Sequence, residues 1–249
     1  MKNLFIVLGI GLMAACGQQR EKTPTAQEIV DRAIAVSGGD RYTSSQISFE
    51  FRGRRYVLEP SDQGRVLKRV SVTDSGLLED SKMGSKFMRK LNDSLVSVAD
   101  SMASRYANSI NSVHYFAYLP YGLNDPAVNK KLLGKTVIDG EAYYKVQITF
   151  DREGGGKDFE DVYVHWFNAS TFELEYLAYD FLVDGGGVRF RKAFNERYVE
   201  GIRFVDYENY SFKQKVPPAL MDSLYQTGAL QLLSRIELRD IEVNPGSGS

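Results

Sequence analysis

The sequence predicts a mainly β fold of the α+β kind: a single antiparallel, up-and-down sheet with an N-terminal helix and a helical insert over one face. Three observations carry this expectation. Residues 137–212 alternate apolar and polar side chains in runs broken by Gly- or Asp-rich turns. Residues 25–36 have helical spacing behind a capping threonine, and residues 100–133 lose the two-residue period in favour of caps, aromatics and a proline restart. The chain also carries 14 Phe and 15 Tyr in 249 residues, an amount of aromatic surface that needs a core to bury it.

Taken in order, the elements justify themselves locally. Thr25 caps a helix with Glu28 three residues on and Ile29, Ala33 and Val36 on one stripe; Ser37-Gly38-Gly39-Asp40 stops it. Ile47, Phe49 and Phe51 alternate with Ser48, Glu50 and Arg52 as in a half-buried strand. Residues 56–59 and 65–73 read as further strands, the second with Val66, Val70 and Val72 on a shared face. A hairpin is expected around Asn92-Asp93. A helix is expected over 100–111, then the aromatic stretch SVHYFAYLPY (112–121), then a short helix over 127–133 behind Pro126. Asp139-Gly140 is a type I′ hairpin signal between 135–138 and 142–150. Strands follow at 161–167, 173–183, 188–194 and 202–212. A last helix is expected over 219–230 behind Pro217-Pro218, and a closing strand over 234–243. Neighbouring strands joined by short turns imply an up-and-down topology.

The first residues belong to targeting. Met1-Lys2-Asn3 is a basic start and residues 4–13 are apolar, too short for the ~20 residues that span a bilayer. Leu12-Met13-Ala14-Ala15-Cys16 resembles the lipobox of bacterial lipoproteins, in which the cysteine is acylated and becomes the new N-terminus. Cys16 is the single cysteine of the chain, so no internal disulfide is available to it. The resemblance implies two or three acyl chains on Cys16, and with them a stable membrane attachment. The expected division is a leader at 1–15, a lipidated tether at 16–25, one β-rich domain at 26–243 and a disordered tail at 244–249. No acidic run follows Cys16, which favours a periplasm-facing protein of the outer membrane. The formal charge of −1 lacks the basic field that nucleic acid or anionic lipid surfaces attract, so neither is expected as a partner.

The motifs that carry chemistry are few. His114 and His165 are the two histidines, without the spacing zinc sites use; no metal, cofactor or catalytic residue is assigned. His165, near Asp158, Glu160 and Asp161, reads first as a half-buried histidine hydrogen-bonded across the sheet and only then as a base or ligand. Acidic residues around Gly154-Gly155-Gly156 do not fit an EF-hand loop and read as a solvated turn. Asp184-Gly185-Gly186-Gly187 lacks the Lys-Ser/Thr of a phosphate loop and reads as a turn between strands. Arg189 and Arg191 beyond it lie two apart and share a face. An ion-pair ladder with Asp180 and Asp206 is the first reading, and an anionic ligand the second. Tyr115, Phe116 and Tyr118 lead the densest aromatic cluster, which reads as core beneath a helical lid or as the mouth of a greasy site. Trp166 lies on the strand that holds His165. These seven residues, Arg189, Arg191, His165, Tyr115, Phe116, Tyr118 and Trp166, are the candidate ligand contacts.

Four segments, 106–134, 154–166, 176–195 and 201–210, resemble an uncharacterised family of Gram-negative lipoproteins across nearly the whole mature chain. The order of helix, long meander and inserted helices is also similar to lipoprotein-carrier and lipoprotein-sorting proteins. That second resemblance implies that the sheet is curled into a half-barrel that cups acyl chains. Together they imply a lipid-anchored envelope protein that binds an apolar or amphipathic ligand, a lipid or a lipoprotein acyl chain. The alternatives are a non-catalytic accessory module of an outer-membrane complex and, behind it, an enzyme working through His165.

Overall fold

A computed structural model describes residues 22–155, 159–182 and 185–246. Helix α1 (Ala26–Ser37) starts where the sequence places it: the Thr25 N–H donates to the Glu28 carboxylate at 2.7 Å and the Glu28 N–H to the Thr25 hydroxyl at 3.2 Å. Its buried face is Ile29, Val30 and Ala33. A single turn, α2 (Arg41–Ser44), leads into the strands.

The strands form two seven-stranded antiparallel sheets. The first holds β1 (Ser45–Phe51), β2 (Arg54–Ser61), β3 (Gly64–Thr73), β4 (Gly76–Met83), β5 (Lys86–Leu91) and β6 (Ser94–Leu95) in sequence order, with β14 (Arg239–Pro245) added beside β1. The second holds β7 (Val128–Ile138), β8 (Glu141–Phe150), β9 (Tyr163–Asn168), β10 (Leu174–Phe181), β11 (Gly187–Val199), β12 (Ile202–Ser211) and β13 (Gln231–Ile236), again in sequence order. Helix α3 (Asp100–Ala117) links them, and a 3-10 turn (Pro218–Leu220) with α4 (Met221–Gln226) sits between β12 and β13.

This corrects the expected single sheet curled into a half-barrel: the two sheets are separate and neither is closed or strongly curled. The cause is that α3 intervenes between β6 and β7, which do not pair, and that the chain changes sheet within the two residues between β13 and β14. The crossing backbone is satisfied by side chains, as a buried change of sheet requires: the Leu238 N–H donates to Asp206 Oδ1 at 2.9 Å and the Leu238 carbonyl accepts from Arg197 Nη2 at 2.7 Å.

Several element boundaries also move. Residues 128–133 are strand, not helix, and form the first half of the edge strand β7. α3 extends through the aromatic stretch to Ala117. The C-terminal helical segment ends at Gln226. β4 was not foreseen. Asn244 and Pro245 pair with Gln46 and Ser45, and the Gly246 N–H donates to the Ser44 carbonyl at 2.7 Å, so order continues past Val243; residues 247–249 lie outside the described residues. The Asp139-Gly140 turn has the two positive φ values, 51° and 89°, of the hairpin type its sequence signals.

Strand alternation gives the second sheet two buried faces. One, with Val146, Tyr163, Phe167, Leu177 and Tyr207, packs against α1 and the C-terminal part of α3. The other, with Ile138, Val164, Trp166, Val188 and Phe190, is covered by Met221 and its helical segment. A third cluster joins the sheets: Ile47, Phe49 and Leu58 from the first meet Tyr118, Ile202, Phe204 and Leu238.

Candidate ligand-binding cavity

α3 is held to the first sheet by charge. Asp80 accepts from Arg69 Nη2 at 2.6 Å and from Arg89 Nε and Nη2 at 2.6 and 2.9 Å, all three side chains being buried or nearly so. Arg69 also donates to Ser109 at 3.0 Å, and the Arg89 guanidinium lies 4.0 Å from the Tyr106 ring centre. The helix then passes to the second sheet through Tyr115 and Phe116, which meet Phe150, Tyr163 and Tyr179 at ring distances of 5.3–6.4 Å.

A cavity lies on each flank of this helix. The first, about 570 Å³, runs between Ser112, Val113, Phe116 and Ala117 of α3 and the inward side chains of β10–β12, among them Tyr179, Phe181, Val205 and Tyr207. Phe51 and Arg52 of the first sheet, and Ile236 and Leu238 at the sheet change, complete it. The second, about 520 Å³, runs between His114, Tyr115 and Tyr118 and a more polar wall that includes Arg65, Lys82 and Asp125. Ser112, Phe116 and Tyr163 belong to both.

Arg189 and Arg191 project from β11 into the first cavity. Among the described residues, the ion-pair ladder foreseen for them is not formed. Asp180 accepts instead from the Val162 N–H at 2.7 Å, and Asp206 is taken by Arg197 at 2.9 Å and Asn195 at 2.7 Å. Arg191 is only 8% exposed. Its guanidinium lies 3.8 Å from the Phe116 ring centre, its Nη2 donates to the Tyr179 hydroxyl at 2.9 Å, and its Nε is buried without a partner among the described residues. Arg189 stacks 4.7 Å from the Phe181 ring centre and donates to its neighbour's carbonyl, Val188, at 3.1 Å.

The other candidates are dispersed. His165 is fully buried on the inward face between Val146 and Leu177 of the adjacent strands and lines neither cavity. Contrary to the cross-sheet hydrogen bond expected of it, both its ring nitrogens lack partners among the described residues. Burial pushes its pKa down to about 3, so the ring is neutral and packs as an aromatic beside Tyr163 and Phe167. Trp166, its neighbour in sequence, faces the opposite side of the sheet and donates to Asp222 at 3.1 Å. Tyr115 and Tyr118 belong to the second cavity, Tyr118 stacking edge-on to Phe49 and Tyr42. Cys16 lies outside the described residues. The lining residues that sequence reasoning passed over, Tyr179, Phe181, Val205 and Tyr207, are the inward members of strands it did place; their period-two register with Arg189 and Arg191 across β10–β12 was the available signal.

Two antiparallel sheets with helices between them place the chain beside a LolA superfamily protein from Nitrosomonas europaea. The TM-score is 0.51 at 14% identity, covering 88% of this chain and 94% of that one. A DUF1329 family protein from Desulfovibrio piger aligns over 91% of this chain and 95% of its own, at 12% identity and a TM-score of 0.42. At such identities the likeness is one of fold. Residues 2–238 match DUF6503, a family of unknown function, and the chain belongs to that family. No curated protein matches it in sequence.

Proposed function

We propose that this protein is a lipid-anchored component of the cell envelope, tethered through an acylated Cys16 at the outer membrane and facing the periplasm. On this reading it holds the apolar part of an amphipathic ligand in the 570 Å³ cavity beside α3. The lipobox-like Leu12-Met13-Ala14-Ala15-Cys16 supports the anchor, and the fold shared with a LolA superfamily protein supports a carrier-type role. One observation carries the ligand reading: Arg191, almost fully buried, stands in the wall of a mostly aromatic and aliphatic cavity, held by the Tyr179 hydroxyl and the Phe116 ring and in no ion pair among the described residues. A buried guanidinium without a counter-charge is costly, and arginine does not shed its proton to relieve the cost. A ligand that brings an anionic group with apolar substance behind it satisfies both the cation and the walls.

The test is native mass spectrometry of the full protein extracted from membranes in a mild detergent. A stoichiometric co-purifying lipid, lost on organic extraction and regained on adding it back, is the expected result. A ligand-free protein that takes up no lipid from a membrane extract overturns the binding reading. The anchor is tested apart from it: Cys16→Ser should move the protein from the membrane to the soluble fraction of the envelope, and unchanged membrane retention overturns it.

A further inference from the structure

The first cavity specifies more than an apolar occupant. Its volume is about 570 Å³. That lies within the ~300–1,000 Å³ of a pocket that buries one ligand of moderate size, which suits one long acyl chain better than two or three. The walls are hydrocarbon and aromatic, supplied by Val113, Phe116, Phe181, Val205, Ile236 and Leu238. The charge is concentrated on one strand. Arg189 and Arg191 lie on the same face of β11, each guanidinium over an aromatic ring, so both cations are positioned before anything binds. Glu160 and Asp161 also line the cavity, but neither forms an ion pair with Arg189 or Arg191 among the described residues. A planar fork held rigid in this way is suited to the oxygens of a carboxylate or phosphate, which it meets with paired, charge-assisted hydrogen bonds.

Resting on the binding reading above, we infer that the cavity selects an amphiphile with one acyl chain and an anionic head. Arg191 holds the head, Arg189 lies beside it, and the chain lies along α3. Carboxylate and phosphate heads share this chemistry, so a free fatty acid and a one-chain phospholipid both qualify, whereas two- and three-chain lipids do not.

The experiment titrates the delipidated full protein in detergent with four defined probes, read by native mass spectrometry: hexadecanoate, a one-chain hexadecanoyl phosphatidate, methyl hexadecanoate and the two-chain dihexadecanoyl phosphatidate. One or both anionic one-chain probes should bind one to one, and whichever binds more tightly identifies the head. The methyl ester should bind at least tenfold more weakly, the loss of one charge-assisted contact amounting to about that factor, and the two-chain lipid should also bind at least tenfold more weakly, because its second chain finds no room. Arg191→Gln should bring the anionic probes down to the ester's level and leave the ester unchanged. Arg191→Lys, which keeps the charge and protects against mere misfolding, should retain part of the preference. Equal binding of ester and acid, or of one-chain and two-chain phosphatidates, overturns this inference and leaves lipid binding standing. Binding of none of the four, by a protein that does retain a lipid from membranes, overturns it likewise; failure of both experiments removes the binding reading as well.

Discussion

The Arg191 guanidinium lies over the Phe116 ring, its carbon 3.8 Å from the ring centre, and this contact is where α3 meets the cation of the second sheet. Phe116 is half-buried and belongs to the walls of both cavities. Phe116→Ala should cost about 2–3 kcal/mol, from lost packing and a lost cation–π contact. Phe116→Tyr should cost far less. Urea unfolding followed by circular dichroism checks both, and equal destabilisation by Ala and Tyr would show that the ring's face is not what matters.

Asp80 serves two guanidinium groups at once, and replacing it leaves both without a counter-charge. Asp80→Asn keeps the shape and should destabilise the protein by about 3 kcal/mol or more. The loss should appear locally as faster amide hydrogen exchange in α3 and β3–β5. Burial alone would raise this carboxyl's pKa, but the hydrogen bonds from Arg89 and Arg69 outweigh it and hold the pKa below the usual carboxylate value. The stabilisation is therefore present above about pH 4 and is lost as pH falls through the lowered folded value.

The two histidines make stability depend on pH in a higher range. Burial lowers His114 to about 4, although its Nε2 donates to the Lys68 carbonyl at 3.1 Å, and lowers His165 to about 3. Above the unfolded value of about 6.5 both states hold neutral rings and nothing is lost. Below it the unfolded chain binds protons that the folded protein refuses, so stability falls with decreasing pH until the folded values are reached. Each histidine adds a slope of up to about 1.4 kcal/mol per pH unit. His165→Phe should remove one such slope between pH 6 and 4.5. Parallel curves for the wild type and the variant would contradict a neutral, unpartnered His165.

Asp222 links α4 to the far face of the second sheet, accepting from Lys145 Nζ at 2.8 Å and from Trp166 Nε1 at 3.1 Å. Asp222→Ala should cost about 3 kcal/mol, since it strands a largely buried ammonium, and should change the emission of the single tryptophan. Trp166 faces away from the cavity, so a ligand bound beside Arg191 should leave that emission nearly unchanged. A large shift on lipid addition would place the ligand elsewhere.

How far the sequence was legible follows from these same residues. The strand order within each sheet was readable because it is sequential, and turns such as Asp139-Gly140 carry their own geometry. β4 escaped because its inward position 80 is an aspartate paired with two inward arginines, which inverts the polar–apolar alternation that marks a strand. The first half of β7 escaped because it is an edge with lysines, preceded by a proline that resembles a helix start. The division into two sheets depends on which edges meet across more than a hundred residues, and no local pattern records that. At the site, the period of two put Arg189 and Arg191 together. The same period separates His165 from Trp166, which as neighbours on one strand had to face opposite ways. Phe116 came to the arginines only through the docking of α3, a tertiary event.

β14 lies beside β1, pairing Val243 with Ile47 across almost the whole length of the chain. The first sheet is thus left with an open edge until its last strand is made, and the earliest strand waits longest for its neighbour. Contacts so distant in sequence slow folding and leave an unpaired edge exposed meanwhile. During synthesis, then, the protein is a chain that latches last. Loss of residues 239–246 should spoil a newly made molecule more than an equal loss from the loop before β9, and a chaperone that covers one bare strand would find its binding site ready at Ser45–Phe51.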